Sequence, residues 1–213
     1  MPRIRVLLAD DHTVVAEGLQ ALLKDSFELA GVVHDGRALL DAAEKLRPDV
    51  IVTDISMPLL NGLDAIREIR SRHADARIIV LTMHRETQLA AQAFRAGASG
   101  YLLKISPSEE LIKAIQEVAL GRSYVTTLLA SDLITLLLEA GGPERGDGMA
   151  LTPRQREVLQ LVAEGRTMKE VASLLNISPR TAESHKYEIM QTLGLRTTAE
   201  LIQYAVRLKL VSE

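Results

Sequence analysis

The 213-residue chain has no cysteine, which removes disulfides, thiolate zinc sites and cysteine nucleophiles while permitting a reducing compartment. Long apolar runs are missing too: nothing approaches the roughly 18 residues a membrane-spanning helix needs, so no membrane partner is expected. The opening stretch, MPRIRVLLADDH, reaches two aspartates within one strand length, unlike the apolar region of a secretory signal, and the expected location is the cytoplasm. No G-x-G-x-x-G follows the first apolar run and no P-loop occurs, which weakens any nucleotide-binding reading. Fixed-period repeats and low-complexity tracts are also absent.

What is present suffices for folding. A 47% hydrophobic and 25% charged composition is that of an ordinary globular protein, and the length permits one large domain or two small ones. The net charge of −3 hides an asymmetry: residues 1–148 carry 16 basic against 21 acidic side chains, whereas 149–213 carry 9 against 7. The mildly basic second part fits a small nucleic-acid module without requiring one.

Along the first 120 residues, strand-length apolar runs (IRVLLAD, LAGVVHD, VIVTD, RIIVLT, GYLLK) alternate with helical stretches at 14–24, 36–46, 62–73, 86–96 and 108–120. Five βα units in succession imply an α/β domain with a five-stranded, doubly wound parallel sheet. The leucine-rich segment 124–139 reads as a linker helix, and AGGPERGDGMA at 140–150 as a flexible linker. The expected domains are therefore 1–122, a linker over 123–148, and an all-α domain over 149–213. In the last of these, TPRQ, TMKE and TTAE repeat a capping-box spacing, and Ser178-Pro179 opens another helix, giving four short helices.

Ligands of such sheets bind at the carboxyl ends of the strands, where Asp10, Asp11, Asp54, Thr82 and Lys104 all fall. Taken singly each has a bland explanation: a helix cap, a strand end, a surface lysine. Five suitable groups ending four strands on one rim do not. Three carboxylates brought together repel unless a cation joins them, and magnesium suits hard oxygen ligands while keeping positions open for phosphate. With a lysine ammonium and a threonine hydroxyl beside them, these are parts for phosphoryl transfer, in which a carboxylate can serve as nucleophile.

The motifs ADD, VTDISMP, LTMH and GYLLK make residues 3–121 resemble the receiver domain of two-component response regulators, a flavodoxin-like fold. The resemblance implies that Asp54 is the phosphoacceptor and that Asp10 and Asp11 hold magnesium. It also implies a backbone carbonyl ligand from Met57, a phosphoryl contact from Lys104, and a switch pair of Thr82 and Tyr101. Ser56 and His84 flank the site, where they could tune water access.

In the all-α domain, segments 167–175 and 178–193 have the lengths and the short joint of a helix-turn-helix. Ala182, His185, Ile189 and Leu193 make an inward face, which favours packing over metal ligation for His185. The outward face offers Arg180, Glu183, Ser184, Lys186, Tyr187 and Gln191, side chains able to reach bases or phosphates. Residues 149–213 resemble the LuxR-type DNA-binding domain, matching at Thr152, Glu157, Lys169, Glu170, Thr181, Ile189 and Gly194, among others. Met168, Ala182, Glu188 and Thr192 depart from its pattern, and the acidic Glu188 with no lysine at 192 lowers the expected affinity for phosphates. Thr181 and Lys169 join the expected DNA contacts.

Joined, the two halves resemble a NarL/FixJ-type response regulator. That resemblance implies a sensor histidine kinase as phosphate donor, double-stranded DNA as target, a homodimer when phosphorylated, RNA polymerase as a further partner, and no enzyme activity. A magnesium-dependent phosphatase is the rival from another class. Its nucleophile would follow the first strand with a second aspartate two residues on, whereas here the first-strand aspartates are adjacent. A DNA-binding protein active without phosphate is the other rival.

Overall fold

The computed structural model describes residues 3–139 and 151–211. The expected flexible linker at 140–150 lies outside the described residues. Two compact units result, the first carrying the sheet with α1 to α6 and the second carrying α7 to α10.

In the first unit, β1 (Arg5–Ala9), β3 (Val50–Thr53), β4 (Ile78–Thr82) and β5 (Gly100–Leu103) are runs of apolar and β-branched residues, buried almost throughout, as a sheet covered on both faces requires. The edge strand β2 (Glu28–Val33) is only partly buried. All neighbours are parallel, in the order β2-β1-β3-β4-β5-β6. The helices α1 (Thr13–Leu23), α2 (Gly36–Leu46), α3 (Gly62–Arg72), α4 (Thr87–Ala96) and α5 (Ser108–Ala119) connect the strands. Each boundary lies within a residue or two of its expected place. One core layer joins Val6, Leu8, Val52, Ile79 and Leu81 to Ile115 and Val118 of α5. Winding reverses at β1, so a crevice opens where β1 and β3 end side by side.

The sheet has six strands rather than the expected five, and the linker helix begins later than expected. Tyr124–Val125 forms β6, paired with Gly100 and Tyr101 of β5, and α6 starts only at Thr127, running to Glu139. The edge of β5 exposes backbone groups that the chain satisfies as it leaves α5, and two residues are too few for a period-2 signal to show. Leu129 and Leu133 of α6 are buried, and the helix packs along α4.

The second unit consists of α7 (Pro153–Ala163), α8 (Met168–Leu174), α9 (Pro179–Leu193) and α10 (Thr198–Arg207). Thr152, Thr167 and Thr197 each close a full capping box, and the Ser178 side chain caps α9. Gly194 ends α9 at φ 68, a left-handed position suited to glycine. Leu159, Val171, Ala172, Ala182, Ile189, Leu201 and Ala205 form the core of the bundle.

In the box at α8, hydrogen bonds from the Thr167 side chain and backbone hold the Glu170 carboxyl below its usual pKa. Thr167→Ala is expected to lower the stability of this helical unit by about 1 kcal/mol, measured as a shift in the urea transition followed by circular dichroism.

Candidate functional site

Backbone hydrogen bonds just past the strand ends bring the expected groups to one rim. Asp10 N–H donates to Val33 O at 3.1 Å, Asp54 N–H to Ala9 O at 3.0 Å, and Lys104 N–H to Thr82 O at 2.8 Å. The side chains then meet. Lys104 Nζ stands 2.7 Å from Asp10 Oδ2 and 2.6 Å from Asp54 Oδ2. All three are nearly closed to solvent, with side chains 7%, 2% and 6% exposed respectively. Burial alone would lower the Lys104 pKa, but Asp54 and Asp10 outweigh it and hold the ammonium above its ordinary value.

The remaining carboxylate oxygens are placed locally. Asp54 Oδ1 accepts from Ile55 N–H at 2.6 Å, and Asp10 Oδ1 from His12 N–H at 3.0 Å. Asp11 Oδ1 is buried and accepts no hydrogen bond among the described residues, although His12 Nδ1 stands 2.9 Å away. Donor atoms of Asp10, Asp11, His12 and Asp54 lie within 4.8 Å of one another. Three carboxylates beside one ammonium leave two negative charges, with the His12 ring against the Asp11 carboxylate. The residues therefore fit a divalent cation.

The rest of the rim supports Asp54. Thr53 Oγ1 donates to the Asp54 carbonyl at 3.0 Å and lies 3.8 Å from the sulfur of buried Met57. Gly62 N–H donates to Ile55 O at 2.7 Å, and a Cβ on Gly62 would fall 2.1 Å from the Asp54 carbonyl oxygen. Only glycine allows that approach. Thr82 is buried, its hydroxyl 3.4 Å from His84 N–H, while His84 Nε2 lies 3.2 Å from Ser56 Oγ. Tyr101 is fully buried and its hydroxyl donates to the His84 carbonyl at 2.9 Å. Burial, with Glu86 and Asp54 nearby, pushes that phenol well above the usual range.

Residues 6–116 match the family described as the response regulator receiver domain, and residues 149–205 the bacterial regulatory proteins of the luxR family. The transcriptional regulatory protein MctR of Rhizobium johnstonii is 37% identical over 214 residues, covering 100% of this chain and 97% of that protein. This chain is a NarL/FixJ-type response regulator. A structure of the Salmonella typhimurium RcsB response regulator is similar with a TM-score of 0.62 and 30% identity, over 96% of this chain and 97% of that one. Another, of two RcsB dimers bound to two parallel DNAs, is similar with a TM-score of 0.60 and 29% identity, over 96% and 98%. A two-component response regulator with a LuxR-type DNA-binding domain is a transcription regulator rather than an enzyme, so the phosphatase reading falls. No helix among the described residues is long and apolar enough to cross a membrane.

In this response regulator's second unit, Ala182 and Ile189 of α9 point inward, and Arg180, Thr181, Glu183, Ser184, Tyr187 and Gln191 are exposed, as is Lys169 on α8. Lys186 is half-buried. Some outward groups already have partners: Ser184 Oγ donates to Arg180 O, Thr181 pairs with the cap Ser178, and Gln191 Nε2 donates to Tyr187 OH. The departure at Glu188 has a local role, since its carboxylate accepts from Gln155 Nε2 at 3.3 Å and so joins α9 to the first turn of α7.

Sequence reasoning missed Gly62 and His12. The glycine's constraint is a contact with a distant strand end that no local pattern records. His12 directly follows the aspartate pair, and that adjacency was the available signal.

Without Lys104, Asp10 and Asp54 face each other uncompensated, and breaking a buried pair this way costs about 3–5 kcal/mol. Lys104→Met is expected to lower Tm accordingly, with magnesium raising the variant's Tm more than the wild type's; equal gains would count against the shared acidic site. The folded-state pKa of Lys104 is raised, so its stabilising share is complete below the ordinary lysine range and is lost only as pH rises through the raised value. The gap between the two proteins therefore persists across neutral pH and narrows as pH rises into strong alkali.

Proposed function

We propose that Asp54 is the phosphoacceptor and that its phosphorylation by a sensor histidine kinase makes this regulator bind DNA as a dimer. The observation that carries this is the Lys104 ammonium shared between Asp10 and Asp54 at the strand ends. An oxygen of Asp54 attacks the phosphorus of a phosphohistidine, a phosphorus–oxygen bond forms, and the phosphorus–nitrogen bond to the kinase breaks. Asp10, Asp11, Asp54 and the Met57 carbonyl are the residues that would hold magnesium, which supplies charge neutralisation at the phosphoryl group when bound. Lys104 keeps its ammonium in place and exchanges a carboxylate partner for a phosphoryl oxygen.

The new acceptor oxygens draw the Thr82 hydroxyl, and the buried Tyr101 ring fills the space beside it, biasing two packings that already lie close in free energy. On DNA, Arg180, Thr181, Glu183, Ser184, Lys186, Tyr187 and Gln191 of α9, with Lys169 of α8, face bases and phosphates. A symmetric dimer requires half-sites about one helical turn, or a multiple of it, apart. RNA polymerase is the partner downstream, and the cytoplasm is the place of action.

DNA-fragment selection by wild type and Asp54→Asn, with and without magnesium and a small acyl phosphate, tests this reading. Only phosphorylated wild type is expected to select a motif, and as a dimer. Equal selection by both proteins would show DNA binding independent of phosphate. Where binding occurs, log K should fall linearly with log salt, by a slope of about 0.9 for each phosphate neutralised.

A further inference from the structure

Thr126 sits between β6 and α6 and is 1% exposed. A buried threonine needs partners for its hydroxyl and its backbone, and here they come from β5, the turn after Lys104, α5 and the first turn of α6. Its N–H donates to the carbonyl of Tyr101 at 3.0 Å, and its own carbonyl accepts from Leu129 N–H at 3.0 Å, in the first turn of α6. Its hydroxyl donates to Glu110 Oε2 at 3.3 Å on α5 and lies 3.2 Å from Ser106 Oγ. A hydroxyl has one proton, and a carboxylate accepts only. With the Thr126 proton on Glu110, Ser106 must be the donor of the other bond.

Ser106 stands two residues beyond Lys104, in the turn closed by its N–H on the Leu103 carbonyl at 2.9 Å. One residue at the start of α6 is therefore bonded to both ends of the segment 101–106, which carries Tyr101 at one end and the turn after Lys104 at the other. The α6 helix in turn packs along α4, beside the β4–α4 loop that holds His84, whose carbonyl receives the Tyr101 hydroxyl.

We infer that Thr126 is a positioning residue, coupling the placement of Lys104 and Tyr101 to the docking of α6. This deepens the proposed function and rests on Asp54 being the phosphoacceptor. A change in what Lys104 contacts shifts the 103–106 turn, and the Ser106–Thr126–Glu110 chain transmits that shift to the first turn of the linker helix. Linkage makes the coupling reciprocal: loosening the start of α6 loosens the Lys104 turn.

Hydrogen exchange of the full chain, with Asp54 phosphorylated by a small acyl phosphate in magnesium, is the test, and intact mass records the extent of phosphorylation in every sample. In wild type, exchange of the amides in the first two turns of α6 is expected to change by about tenfold on phosphorylation. Thr126→Val keeps the β-branched shape and removes the hydroxyl; it should still take up phosphate, but with that change cut to less than about twofold. Thr126→Ser should restore it. A valine variant that is phosphorylated and shows the full wild-type change overturns the inference while leaving Asp54 as acceptor. Wild type that gains no phosphate overturns both.

Discussion

A single ammonium held between two buried carboxylates is the constraint around which the first unit is arranged. Three acidic side chains at neighbouring strand ends repel one another, and without Lys104 the rim would be costly to close. The ion pair holds the Asp10 and Asp54 side chains at fixed separation. It also leaves two negative charges, which fit a divalent cation, and sets an ammonium beside the proposed phosphoacceptor. Structure and chemistry thus share one interaction.

The four strands β1, β3, β4 and β5 are buried almost throughout, and they carry the rim. The backbone N–H groups of Asp10, Asp54 and Lys104 are each bonded to the neighbouring strand, so the positions of these three residues are fixed by the ladder rather than by flexible loops. Gly62 adds a second fixation, since the loop after Asp54 folds back so tightly that its next helix begins against the Asp54 carbonyl. Exposed loops would let the carboxylates separate. A packed sheet keeps them poised.

Much of this was legible in the residues. Continuous apolar runs marked the central strands because both their faces are covered, and acid, hydroxyl and ammonium at their ends marked the rim. The capping boxes at Thr152, Thr167 and Thr197 marked three of the four helices in the second unit because a cap is local chemistry. What was not legible depends on contacts between distant segments. β6 is two residues long and exists because β5 has an open edge. The crowding at Gly62 comes from strand 3, and the partners of Thr126 lie on β5, α5 and the turn between them. Glu188, at odds with an electrostatic role toward DNA phosphates, finds its reason in Gln155 across the bundle.

Chemical mapping of the phosphorylated position decides whether Asp54 is the phosphoacceptor. Treatment with a small acyl phosphate, reduction of the acyl phosphate with borohydride and peptide mass spectrometry convert a phosphorylated aspartate to homoserine at a definable position. Homoserine is expected at position 54 alone, and only when a divalent cation is present. Homoserine at another aspartate, or equal yield without the cation, would contradict it.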